Sequence, residues 1–192
     1  MLKRFNLTEI TTTSTPMKEG QVLTENREKC DPETKHRYQS MIGSLLYLSN
    51  GTRPDIAFAV NFCARFTSNP SQEHYDAVIR IFSYVKGTKS YGLTFLHGSK
   101  IAASSRLITG FVDSDYANCL DTRRFTTGYL FLLAGAPVSW ASRRQKVVAT
   151  ATLDAEYMAV ADAAKEAVWL RRFTTDLRLH QQDSVTLFID ND

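Results

Sequence analysis

The chain has 192 residues, of which 43% are hydrophobic and 11% aromatic, and this composition excludes wholesale disorder. Its net charge of +3 permits a nucleic-acid partner without requiring one. No apolar run is long enough to span a membrane, and the N-terminal MLKRFNLTEI lacks the apolar core of a secretory signal. We therefore expect an intracellular protein, cytoplasmic or nuclear, without a membrane partner.

The cysteines give no sign of a structural framework. Cys30, Cys63 and Cys119 are odd in number and far apart, which fits neither paired disulfides nor a zinc knuckle. Reduced thiols are the expected state, in keeping with an intracellular setting.

The first half of the chain predicts a small all-helical segment. Start and stop signals bound three apolar patterns of helical spacing, over residues 31–51, 54–66 and 69–87. The apolar stretch Tyr91–Leu96 predicts a short strand. Residues 97–105 are small and polar, which is typical of a linker.

The second half predicts an α/β domain. One long helix is expected over residues 152–177, and strand-like runs cover 106–112, 128–133, 138–141, 146–150 and 185–189. Neighbouring strands followed by a helix and a last strand predict a mixed sheet with one long packed helix. The chain thus divides into a helical segment at 1–96, a linker at 97–105 and an α/β domain at 106–192.

Three separated carboxylates are candidate metal ligands. Asp113 and Asp190 each follow an apolar strand-like run, and Glu156 falls within the apolar stripe of the long helix. Acids in such places are rare unless they are paired or bind a metal. Oxygen ligands suit hard divalent cations such as Mg²⁺, so the three acids predict a magnesium site.

Helical geometry distinguishes Glu156 from its neighbours. A helix turns about 100° per residue, which places Glu156 beside the apolar Val160 and Ala163 and places Asp154 near the opposite side. Glu156 is therefore expected to point into the sheet, either towards a metal or in a pair with a strand arginine. For Asp162 and Glu166 an ordinary surface position is expected.

The strand pattern is less decisive. Phe111, Asp113 and Asp115 share one face under the two-residue alternation of a strand. Asp113 directly follows the apolar run, so it is expected to be the more enclosed, with Asp115 as the second candidate ligand. Asp190 has the alternative interpretation of an Asx-turn that ends a strand.

Ordered motifs resemble a known family. FVDSDYA, RFTTGY, VSWASRRQK and TLDAEYMA resemble the ribonuclease H domain of copia-type retrotransposon Pol polyproteins. The upstream YQSMIGSLLYLSNGTRPDIAFAV and the helices after it resemble the thumb-like or connection end of the same polyprotein's reverse transcriptase. The resemblance covers nearly the whole chain.

This resemblance implies a ribonuclease H-like fold and hydrolysis of the RNA strand in RNA–DNA hybrids. By motif, Asp113, Glu156 and Asp190 match the catalytic acids that hold two Mg²⁺ ions, for which Mn²⁺ can substitute. In the two-metal mechanism one ion activates the attacking water and the other stabilises the leaving 3′ oxygen.

Two departures from the family pattern shape the expected activity. The sequence ends at Asp192, before the segment that carries a fourth metal-site residue, and it contains no Y-x-D-D polymerase motif. We therefore expect a fragment of a longer Pol polyprotein without a polymerase site, whose truncated ribonuclease H domain has little or no activity in isolation.

A non-catalytic nucleic-acid binder is the competing hypothesis, and a functionless pseudogene product is a third. The basic and aromatic residues that would contact a hybrid duplex are Arg123, Arg124, Trp140, Arg143, Arg144 and Lys146. The alternative for the last four is a core tryptophan followed by a solvated charged turn.

Overall fold

The structure is a computed structural model that describes residues 1–95, 108–115, 124–146, 151–179 and 184–189. These residues fall into two compact units, which we call the helical unit (Met1–Gly92) and the sheet unit (the described residues from Leu93 onwards). Within the described ranges, no helix has the length and apolar character that crossing a membrane requires.

Three helices form the helical unit, as the sequence predicts. They are α1 (Pro32–Thr52), α2 (Ala57–Ala64), which follows a 3-10 turn at Pro54–Ile56, and α3 (Gln72–Gly87). A side-chain cap begins α1, where the backbone N–H of Thr34 donates to Asp31 Oδ2 at 2.8 Å. Ser71 and His74 form a reciprocal capping box at the start of α3.

The helices pack around a continuous apolar core. Its fully buried side chains come from all three helices and include Met41, Leu45, Val60, Val78 and Phe82. A core of this kind is the main source of stability in a small helical unit.

An ion pair with a buried arginine joins the end of α1 to the end of α3. Arg53 is 4% exposed. Its guanidinium donates from Nε to Asp55 Oδ1 at 2.8 Å and from Nη2 to Thr88 Oγ1 at 2.6 Å. The Tyr84 hydroxyl donates to Asp55 Oδ2 at 2.9 Å. Every group in this network has a partner, which offsets the cost of burying charge.

One predicted strand in this region is wrong. Residues 91–95 form no strand, and residue 96 lies outside the described residues. A short apolar run does not become a strand unless a partner strand satisfies its backbone groups. The predicted linker at 97–105 also lies outside the described residues.

The sheet unit contains a four-stranded mixed sheet in the order β3-β2-β1-β4. The strands are β1 (Ile108–Asp115), β2 (Thr126–Leu133), β3 (Ala136–Arg144) and β4 (Thr186–Ile189). β1 pairs antiparallel with β2 and parallel with β4, and β2 pairs antiparallel with β3. The α/β class and the mixed sheet agree with the sequence prediction. The strand predicted at 146–150 lies almost wholly outside the described residues.

Helix α4 (Thr152–Asp176) covers one face of the sheet. Its alanine stripe, which includes Ala159 and Ala163, packs against Val112 and Phe131. Small side chains let the helix approach closely. Tight packing also explains Gly110, where a Cβ would lie 2.6 Å from the ring of the fully buried Phe131.

The opposite face of the sheet, which we call the open face, is more accessible. Phe111 of β1 and Phe188 of β4 stack there with ring centroids 5.4 Å apart, and they are 43% and 51% exposed. Paired residues of neighbouring strands share a face, so Leu130 and Trp140 belong to it as well.

Candidate functional site

Strand β1 carries two of the predicted acids on the open face. Asp113 lies opposite Gly128, and Asp115 lies opposite Thr126 in the antiparallel register with β2. The alternation predicted for this strand is confirmed, because Val112 is buried beneath α4 while Phe111 and Asp113 are exposed. The predicted strand end is wrong, since β1 continues through Asp113 to Asp115.

The charge of Asp113 affects the ionisation of its neighbour Asp115. Desolvation raises the pKa of Asp115, and the negative charge of Asp113 raises it further. Both residues are solvent-exposed, and the expectation that Asp113 is the more enclosed of the two stays a prediction.

Glu156 lies on α4, at the border of the face that meets the sheet. Ala155 beside it is fully buried, and Glu156 itself is half-buried. Among the described residues, no hydrogen bond or ion pair holds its side chain. The predicted alternative of a pair with a strand arginine thus has no support within those residues.

The start of α4 lies at the same end of the sheet as the β1 acids. Gln145, directly after β3, donates from Nε2 to the Ala155 carbonyl at 2.8 Å and to Thr127 Oγ1 at 3.1 Å. Thr127 pairs with Ser114, which lies between the two aspartates. Glu156 and Asp113 therefore belong to one end of the sheet, with the helix on one face and the aspartates on the other.

The third predicted acid, Asp190, lies outside the described residues. The strand before it, β4, is the parallel neighbour of β1, and its last residue Ile189 pairs with Val112. Among the residues with described positions, no three acidic, histidine or cysteine side chains converge as metal ligands. The predicted trio thus stays a prediction.

The predicted basic cluster divides by environment. Arg143, Arg144 and Lys146 are exposed, whereas Arg124 and Trp140 are half-buried. Arg144 shares the open face with Trp140, while Arg143 lies on the opposite face because successive strand residues alternate. Arg123 lies outside the described residues.

The sequence analysis missed the burial of Gln145 at the interface of helix and sheet, and the surface position that it predicted for Glu166 is wrong. Gln145 is 6% exposed although charged residues surround it in sequence. Glu166, predicted to lie on the surface, is half-buried and accepts a hydrogen bond from Ser139 Oγ at 2.6 Å. The pattern of β3 could have indicated Ser139, since it alternates with residues of the open face, but nothing in the sequence marks Gln145 as buried.

Comparisons with known proteins identify relatives along the whole chain. It is 39% identical over 190 residues to the retrovirus-related Pol polyprotein from transposon TNT 1-94 of Nicotiana tabacum, a match that covers 96% of this chain and 14% of the relative. It is 32% identical over 193 residues to the corresponding polyprotein from transposon RE1 of Arabidopsis thaliana, which covers all of this chain and 13% of the relative.

A shorter relative is covered almost completely. The chain is 42% identical over 133 residues to the secreted RxLR effector protein 161 of Plasmopara viticola, which corresponds to 69% of this chain and 90% of that protein. No protein-family model matches the chain. No solved structure matches it significantly.

The similarity to the transposon polyproteins extends through both units. The chain spans 14% and 13% of the length of the two polyproteins described above. Identities of 30–39% over almost every residue of the chain are shared with polyproteins of three copia-like transposons. Over its whole length, the chain is therefore homologous to a segment of the retrovirus-related Pol polyproteins of copia-like transposons.

Proposed function

We propose that the sheet unit is a ribonuclease H-like domain of a transposon Pol polyprotein, which hydrolyses the RNA strand of RNA–DNA hybrids. Asp113, Glu156 and Asp190 would hold the catalytic Mg²⁺ ions, with Asp115 as a further ligand candidate. The mixed sheet with one long packed helix supports this proposal, as do the Pol relatives.

The observation that carries the proposal is that Asp113, Asp115 and the start of α4 lie at one end of the sheet, with the two aspartates on the open face and Glu156 at the border of the covered face. Asp113 and Asp115 interact electrostatically there, and the first turn of α4 is bonded to the same end through Gln145. In sequence, Asp190 directly follows the strand that pairs in parallel with β1.

The donor chemistry fits a divalent cation. Carboxylate oxygens are the ligands that Mg²⁺ prefers. Two interacting carboxylates, one with a pKa raised by desolvation and by its neighbour, leave negative charge that a cation would neutralise. Bound Mg²⁺ would supply Lewis-acid activation of water and stabilisation of the leaving oxygen.

The protein's own groups would orient the substrate. The exposed Arg143, Arg144 and Lys146 at the end of β3 can contact phosphates of the duplex backbone. Such contacts fix the register of a duplex without reading its sequence. Cleavage at this site is therefore expected to depend on hybrid geometry rather than on base sequence.

The proposal can be tested with a hybrid labelled on its RNA strand, in Mg²⁺ or Mn²⁺. Cleavage is measured under single-turnover conditions, which reveal even the little activity expected of this chain. Asp113→Asn should slow cleavage more than about a hundredfold. Mutation of a residue that only supports a metal ligand costs up to about a hundredfold in activity, and loss of the ligand itself should cost more. Asp162→Asn is the matched control, because Asp162 is an exposed acid bonded to Lys165. Cleavage that Asp113→Asn leaves unchanged contradicts the proposal.

A non-catalytic hybrid-binding function is the second candidate, favoured by the exposed basic residues after β3. Neutralising Arg143 and Arg144 together should weaken duplex binding. The slope of the logarithm of the binding constant against the logarithm of the salt concentration should become shallower by about two, because two phosphate contacts are lost. Asp113→Asn should leave that binding intact. Strong, salt-dependent binding by a wild-type chain that neither cleaves nor binds Mn²⁺ would favour this function over the first.

A further inference from the structure

We propose that Gln145 is a positioning residue for Glu156, an inference that rests on the proposed metal site. Gln145 lies within the basic run Arg143–Lys146, yet it is buried while its charged neighbours are exposed. Its role must therefore differ from theirs, because a side chain without access to solvent cannot bind a nucleic acid directly.

Gln145 joins three segments at the end of the sheet where the acids lie. Its backbone N–H donates to the Phe125 carbonyl at 2.8 Å, just before β2. Its side-chain Nε2 donates to Thr127 Oγ1 in β2 and to the Ala155 carbonyl in the first turns of α4. One amide thus ties the start of the helix to the sheet.

The chemistry of these partners fixes the orientation of the amide. A backbone carbonyl only accepts hydrogen bonds, so the Gln145 atom that faces Ala155 must be the nitrogen. The amide oxygen is buried and has no hydrogen-bond partner in the structure. Leaving a buried acceptor unpaired costs stability.

The helix start needs such an anchor. The N-cap residue of α4 is Ala151, which provides no side-chain cap, so the first turn lacks the usual fixation. Glu156 follows the anchored Ala155 directly, and its own side chain has no partner among the described residues. The position of its carboxylate thus depends on the backbone that Gln145 holds.

The chain offers a matched control for a merely structural contribution. Ser139, in the same strand β3, donates to Glu166 on the same helix at 2.6 Å. This bond also links sheet to helix, but it lies about three helical turns from Glu156. Ser139→Ala removes a contact of the same kind without touching the first turn of α4.

Mn²⁺ binding to the full chain, measured by the loss of the electron paramagnetic resonance signal of free Mn²⁺, tests the inference. Gln145→Met keeps the length of the side chain and removes its donor, and Gln145→Asn keeps the amide but shortens its reach. We expect both variants to weaken Mn²⁺ binding about tenfold, as loss of a supporting residue does elsewhere, and Ser139→Ala to change it less than about twofold.

Amide hydrogen exchange in the same variants separates this inference from the proposed function. The Gln145 variants should speed exchange in the first two turns of α4 about tenfold, and Ser139→Ala should not. Unchanged exchange and unchanged Mn²⁺ affinity in the Gln145 variants, or an equal loss of affinity in Ser139→Ala, would overturn the inference. A wild-type chain that binds no Mn²⁺ would overturn the proposed function instead, even where exchange shows the anchor.

Discussion

Two aspartates, one in each unit, have opposite environments. Asp55 in the helical unit is bonded to Arg53 and Tyr84. Desolvation acts to raise its pKa, but those hydrogen bonds and the charge of Arg53 outweigh it, so the pKa is lowered. For Asp115 in the sheet unit, no cation among the described residues acts in this way, and desolvation together with Asp113 raises its pKa.

The two aspartates differ in whether a neighbouring cation among the described residues compensates their charge. In the helical unit, Arg53 and Asp55 are paired and fixed, which stabilises the junction of α1 and α3. In the sheet unit, neighbouring carboxylates repel one another at a strand end, which costs stability unless a cation binds. Acids that no described cation compensates, with a raised pKa, are more typical of functional sites than of structural ones.

The largest expected effect comes from breaking the paired site. Asp55→Ala leaves the buried Arg53 guanidinium without its anion, so the free energy of unfolding should fall by about 3 kcal/mol. Urea unfolding followed by far-UV circular dichroism measures this change. Because the pKa of Asp55 is lowered, its contribution is present above pH 3.8, the ordinary aspartate value, and is lost as the pH falls further.

An exposed acid of the same unit serves as control. Asp76 on α3 accepts a hydrogen bond from Gln72 at the surface. Asp76→Ala should therefore change the free energy of unfolding by no more than about 0.5 kcal/mol. Equal losses in the two variants would show that the Arg53 pair is not the stabilising element that the structure indicates.

A smaller effect on stability, of opposite sign, is expected when the charge of Asp115 is removed. The raised pKa of Asp115 means that its charged form is disfavoured in the folded state, so stability is lost as the pH rises through that pKa. Asp115→Asn should therefore raise the melting temperature at neutral pH in the absence of divalent cations. The corresponding gain in the free energy of unfolding should be less than about 1 kcal/mol, because the group is exposed. The gain should disappear below pH 3.8.

Thermal melts of both proteins at neutral and acidic pH measure this difference. A variant that is less stable than the wild type at neutral pH would show that Asp115 makes a stabilising contact, and the contrast with Asp55 would then fail.

Much of the fold could be predicted from local signals. The Asp31–Pro32 start and the apolar spacing of α1 gave the helix correctly, and the alternation in β1 gave the correct faces. Tyr91–Leu96 failed because pairing, which decides whether an apolar run becomes a strand, is a non-local property.

Less of the candidate site could be predicted. Periodicity shows that Asp113 and Asp115 share a face, but not that α4 covers the other one, because that choice depends on packing between distant segments. The role of Gln145 could not be predicted for the same reason. Its burial follows from where the Ala155 carbonyl lies in space, and a sequence of charged neighbours indicates the reverse.

Asp113, Glu156 and Asp190 are proposed to share bound divalent cations. A crystal structure of the chain grown with Mn²⁺, with the ion located by its anomalous scattering, tests this directly. We expect Mn²⁺ about 2 Å from carboxylate oxygens of these residues, beside the C-terminal end of β1. Carboxylates too far apart to share an ion, or Mn²⁺ bound only elsewhere, would contradict it.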